Sequence, residues 1–150
     1  MKQIKSFQVN HDLIEPGTYV SRIDGDILTI DMRTRKPNND DYMDNLTMHS
    51  FEHMFATLVR FSKKGNQIIY FGPMGCQTGF YLLVRDMDIK QAHELIVEVL
   101  KEIIAYEGEV FGSTRIECGN YKNLDLKSAK VEAERFLSAT KDQTDFTYRS

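Results

Sequence analysis

The 150 residues predict an α+β fold in which an antiparallel sheet packs against helices. Three observations carry that expectation. Two strand-like runs, TYVSRI (18–23) and DILTIDMR (26–33), flank the hairpin signal Asp24-Gly25. Two more, QIIYF (67–71) and TGFYLLVR (78–85), flank a turn bearing glycine and proline. Helical periodicities interrupt these strands irregularly, which argues against a doubly wound parallel sheet.

Taken in order, the first hairpin is followed by RKPNNDDYMDN (35–45), polar and rich in turn formers, which reads as a loop. A helix is expected over Leu46 to Ser62, because Met48, Phe51, Met54, Phe55, Leu58 and Val59 recur at helical spacing and Gly65-Asn66 follows as a stop. The apolar runs at 67–71 and 78–85 are nearly continuous and predict strands buried on both faces. Asp88 is an N-cap with Gln91 placed for a capping box. The helix it opens carries one apolar stripe, Ala92, Leu95, Ile96, Val99, Leu100, Ile103 and Ile104, with Gly108 as its stop. EVFGSTRIECGNY (109–121) reads as a strand ending in a turn at Cys118-Gly119-Asn120. LKSAKVEAERFLSA (126–139) reads as a more polar helix, and KDQTDFTYRS (141–150) as a frayed tail.

One domain, residues 1–150, is expected from the length, which is enough to bury a core. A formal net charge of −3 gives no footprint for nucleic acid or an anionic membrane. Lys63-Lys64 is the only adjacent lysine pair, and a solvated turn explains it. No run approaches the ~20 apolar residues that span a bilayer. The opening segment has lysines but no apolar stretch after them, so no secretion signal is read there. A cytoplasmic location follows as the expectation, with Cys76 and Cys118 as free thiols.

HSFEH (49–53) carries the chemistry. On a helix His49 and His53 stand roughly 40° apart and one turn along the axis, so both imidazoles reach one cation. Glu52 lies beside them, placed to act on a metal-bound water or a held substrate. The same wheel puts the two histidines opposite the apolar stripe, where the plain alternative is a solvated face. HxxEH also matches the inverzincin peptidase motif. A catalytic site needs a third ligand, and Cys118, Cys76, His11, His93 and the carboxylates are the candidates. His93, near the apolar stripe of its own helix, reads as structural or exposed. Spacing alone does not divide the two cysteines between metal and chemistry. A closed Cys₂His₂ zinc-binding domain without catalysis is a further alternative, although such a site has no need of Glu52.

HSFEH, GPMGCQTGFY (72–81) and ECGNYKNLDL (117–126) together resemble the S-ribosylhomocysteine lyase family, LuxS. SFQVNH (6–11) and DMRTRKPN (31–38) fit the same family in the same order, so the resemblance covers essentially the whole chain. It implies that His49, His53 and Cys118 are the metal ligands, with Fe(II) as the native ion and Zn(II) or Co(II) able to replace it. It implies Cys76 and Glu52 as the catalytic acid/base pair, and Ser6, His11 and Arg33 as substrate contacts. The implied reaction cleaves S-ribosylhomocysteine to homocysteine and 4,5-dihydroxy-2,3-pentanedione, the autoinducer-2 precursor of quorum sensing and a step of the methyl cycle. The implied assembly is a homodimer whose sites lie at the interface and draw on both chains. A thiolate base works best beside positive charge, of which the metal would supply part and Arg33 more where it lies close. Three departures stand out: Tyr70 where the family often has aspartate, Asn10 where aspartate commonly precedes the histidine, and a loop after Arg33 about one residue longer than in some members.

Overall fold

A computed structural model describes residues 2–149. Four helices and four strands follow in the order α1 (Lys5–Gln8), β1 (Gly17–Asp24), β2 (Ile27–Arg33), α2 (Asn45–Arg60), β3 (Ile68–Pro73), β4 (Gly79–Arg85), α3 (Ile89–Ala105) and α4 (Leu126–Thr140), with short 3₁₀ turns at His11–Leu13 and Gly65–Gln67. The strands form one antiparallel sheet in the order β1-β2-β4-β3. This is the predicted α+β architecture.

The hairpin between β1 and β2 turns at Gly25, whose φ of +61° lies where a side chain is disfavoured. Strand β2 alternates strictly. Leu28, Ile30 and Met32 enter the core, so Thr29, Asp31 and Arg33 take the outer face of the sheet. Strand β4 does the same, with Phe80, Leu82 and Val84 inward and Tyr81 and Leu83 outward. The expectation that β3 and β4 are buried on both faces therefore fails. Tyr81 and Leu83 are half-buried and Tyr70 is exposed, because helices cover only the inner face.

Helix α2 meets the sheet through β3 and packs against α3 and α4. Its inner side brings Phe51 and Phe55 against Phe71 and Phe80, with ring centroids 4.5 to 6.2 Å apart. Each fully buried ring contributes about 1.5–3 kcal/mol of transfer free energy, which fixes α2 in place. Helix α3 opens on the predicted capping box of Asp88 and Gln91. It ends at Ala105, before the expected stop at Gly108. His93 is buried, and its Nε2 donates to the Thr140 carbonyl at 2.7 Å, so it is structural.

Two expectations for the C-terminal third are corrected. Residues 109–121 form no strand but a succession of turns, because their backbone bonds close local turns such as Thr114 to Cys118 and the Phe111 carbonyl goes to His53 on α2 rather than to the sheet. Residues 143–148 are not a frayed tail. Val20 N donates to the Phe146 carbonyl at 2.8 Å, and Gln143 both accepts from Thr18 N at 2.8 Å and donates to Thr18 O at 2.6 Å. The last position, Ser150, lies outside the described residues.

Candidate active site

Asp44 caps α2 by accepting from the backbone N–H of Thr47, and the helix then places His49 and His53 one turn apart on the side away from the phenylalanines. That side is not a solvated face. The turns of 109–125 cover it and leave both imidazoles half-buried. His49 Nδ1 donates to the Asn123 carbonyl and His53 Nδ1 to the Phe111 carbonyl, each at 2.8 Å. A carbonyl can only accept, so each ring carries its proton on Nδ1 and keeps a lone pair on Nε2. Both Nε2 atoms face Cys118 Sγ, at 3.4 Å from His49 and 3.8 Å from His53. Asn120 N donates to the same sulfur at 3.4 Å.

Among the described residues, His49, His53 and Cys118 form the one group of three that could hold a metal ion, their donor atoms all within 4.8 Å of one another. The fit is close. A tetrahedral ion with bonds of ~2.3 Å to sulfur and ~2.1 Å to nitrogen sets S···N separations of about 3.6 Å, between the two found here. One thiolate and two imidazoles suit Fe(II) or Zn(II) rather than Mg(II) or Ca(II). Three protein ligands leave a coordination position for water or substrate. Glu52 and His49 line a cleft of about 270 Å³ beside this group, together with Asn45, Pro73, Asn120 and Asn123.

Cys76 occupies the exposed turn between β3 and β4. Its sulfur lies 3.0 Å from Thr78 Oγ1 and 3.9 Å from Arg33 Nη1, so Arg33 does stand close to Cys76. Arg33 is buried and held by Asp31 through contacts of 3.1 and 2.7 Å. Burial alone would lower the Arg33 pKa. Asp31, Cys76 and Tyr148 outweigh it, so the net shift is upward and the cation is secure. Ser6 stands elsewhere, in a groove of about 390 Å³ on the outer face of the sheet with Tyr70, Tyr81 and Leu83. His11 donates from Nδ1 to the Val9 carbonyl at 2.9 Å.

The donor set matches neither of the two rival readings of HSFEH. A closed Cys₂His₂ site needs Cys76, which is outside the cluster. An inverzincin site uses a downstream glutamate as third ligand, where this chain has Cys118. The S-ribosylhomocysteinase (LuxS) family model matches residues 4–147. This chain belongs to the LuxS family. It is 43% identical over 143 residues to the S-ribosylhomocysteine lyase of Finegoldia magna, covering 92% of this chain and 91% of that one. It is 41% identical to that of Clostridium beijerinckii over 92% and 91% of the two chains, and 40% identical to that of Borreliella burgdorferi over 91% of each.

Reading from spacing missed Asp31, Thr78 and Tyr148 around Arg33, and the carbonyls of Phe111 and Asn123 behind the histidines. Asp31 had a signal, since the polar residues Thr29, Asp31 and Arg33 alternate with apolar ones on β2. The backbone carbonyls had none, because their role depends on where the turns lie.

Proposed function

We propose that this LuxS chain is a metal-dependent lyase that cleaves S-ribosylhomocysteine to homocysteine and 4,5-dihydroxy-2,3-pentanedione. The observation that carries the reading is the open His49–His53–Cys118 triad with Glu52 on the adjoining cleft. When bound there, a divalent cation, Fe(II) by preference, supplies Lewis-acid stabilisation of the negative charge that develops on the substrate oxygens.

The protein's own groups move the protons. The sugar opens to its aldehyde, and the carbonyl must migrate from C1 to C2 and then to C3. Each shift takes a proton from carbon and returns one to the neighbouring carbon, while the hydroxyl and carbonyl oxygens exchange theirs. Cys76, as a thiolate beside Arg33, takes the proton at C2. Glu52 shuttles protons between the oxygens and removes the one at C4 once the ketone is at C3. The C4–H electron pair then forms the C4–C5 double bond as the C5–S bond breaks. Homocysteine leaves as thiolate, and the enol left behind tautomerises to the dione. Ser6, His11 and Arg33 serve as substrate contacts.

Ser6 and His11 stand in the N-terminal segment, apart from the triad. The outer sheet face presents Tyr70, 52% exposed, beside Ile4, 60% exposed. A homodimer that brings one chain's N-terminal segment to its partner's triad satisfies both facts. Two free thiols suit the reducing cytoplasm. No helix of the described residues is long and apolar enough to cross a membrane. Of the two products, the pentanedione is the autoinducer-2 precursor and the homocysteine belongs to the methyl cycle. Cys118→Ala is expected to purify without stoichiometric metal, and Cys76→Ala with full metal but no turnover. Stoichiometric metal in Cys118→Ala, read by elemental analysis, would overturn the division of the cysteines.

A further inference from the structure

The last turn of the chain returns to the acid/base cysteine. Tyr148 stacks on Tyr19, with ring centroids 5.2 Å apart and planes 20° from parallel. Its hydroxyl donates to Asp31 Oδ2 at 2.6 Å. Asp31 is fully buried on the outer face of β2, paired with Tyr19 in the β1–β2 ladder. The same Oδ2 accepts from Arg33 Nη2 at 2.7 Å, and Oδ1 accepts from Nε at 3.1 Å. The far side of the guanidinium, Nη1, donates to Thr78 Oγ1 at 2.9 Å and lies 3.9 Å from Cys76 Sγ. A continuous line of contacts thus runs from residue 148 through Asp31 and Arg33 to the sulfur.

We propose that Tyr148 is a positioning residue for Cys76, acting through Asp31 and Arg33. Two effects follow from the geometry. The tail closes over Asp31 and holds its carboxylate on Nε and Nη2 of the guanidinium, so that Nη1 is the atom left for the sulfur and Thr78. The phenol also takes a share of the carboxylate's charge. A carboxylate shared in this way neutralises Arg33 less, and more of the cation's field reaches the thiolate. Burial first, and then the Asp31 charge, push the Tyr148 phenol far above its ordinary range, so the hydroxyl stays a donor at every working pH. The inference rests on the lyase reading only for the role of Cys76 and stands on contacts independent of it.

The test is the rate at which iodoacetamide alkylates Cys76 in full-length, metal-loaded protein across pH, read by mass from the Cys76 peptide. Arg33 and Tyr81 are the charged or titratable groups that act on that sulfur, with Asp31 and Tyr148 behind Arg33. Tyr148→Phe keeps the stack on Tyr19 and removes only the donor. Its profile is expected to move to higher pH, with alkylation at pH 7 slowed about threefold or more and far-UV circular dichroism unchanged. In thiol release from S-ribosylhomocysteine, kcat should fall with KM held within about twofold. Asp31→Asn removes the charge that neutralises Arg33 and should move the profile the opposite way, to lower pH. A Tyr148→Phe profile that superposes on wild type overturns the proposal, and so does one that moves only with general loss of native structure. If wild type releases no thiol from the substrate while the profile still moves, the lyase reading falls and the positioning role stands.

Discussion

The backbone carbonyl of Phe111 accepts the Nδ1 proton of His53 at 2.8 Å, and this bond turns Nε2 of the ring towards Cys118. The next residue makes the contact possible. Gly112 has φ +68°, and a Cβ there would stand 3.1 Å from His53 Nδ1. Gly112→Ala therefore strains the backbone and pushes the imidazole from its setting. Metal affinity is expected to fall roughly 10- to 100-fold, the usual cost of disturbing the groups behind a ligand. Competition with a chromogenic chelator measures it. Affinity equal to wild type would mean that the turn does not orient the ring.

The cap of the metal-site helix carries a pH signature. The Thr47 side chain, and then its backbone N–H, hold the Asp44 carboxyl below the ordinary carboxylate range. A lowered folded pKa stabilises the fold above the unfolded value near ~3.9, and that contribution is lost as pH falls through the folded value. Asp44→Ala should cost about 1 kcal/mol at pH 7. The gap between variant and wild type should close towards pH 2–3. Urea midpoints at both pH values decide it, and a gap that persists in acid would assign the loss to something other than the cap's charge.

The proposed dimerisation through the outer sheet face would make Leu83 a sensitive position. It is half-buried on β4 and lines the groove with Ser6, Tyr70 and Tyr81. Leu83→Lys places a charge in the proposed interface while leaving the inner core residues Leu82 and Val84 untouched. Light scattering should then report the 17.4 kDa chain where wild type reports twice that mass. A dimeric variant would move the interface to another face.

The elements carried by period were legible in the sequence. The aromatic face of α2, the capping box of Asp88 and the Asp24-Gly25 hairpin each express a local rule, and each forms within a residue or two of its predicted place. Two segments were not legible, and for one physical reason. In 109–121 the β-branched and aromatic residues read as a strand, yet the Phe111 carbonyl is given to His53 and Cys118 turns in to the same centre. In 143–148 the polar composition reads as a loose end, yet Gln143, Phe146 and Tyr148 each find a partner on β1 or β2. Long-range pairing overrides local propensity in both. The same holds for the candidate site. The i, i+4 histidines and Glu52 follow from helix geometry, whereas dividing the two cysteines required the family resemblance; the structure groups Cys118 with the two histidines and leaves Cys76 near Arg33.

The central claim, a metal-dependent cleavage of the ribosyl thioether by this triad and its acid/base partners, is tested most directly by thiol release. Protein purified anaerobically and loaded with Fe(II) is mixed with S-ribosylhomocysteine, and free thiol is followed with a disulfide reagent. Continuous release of one homocysteine per substrate, abolished by chelation and by Cys76→Ala, is the predicted result. No release from the metal-replete wild type would contradict it.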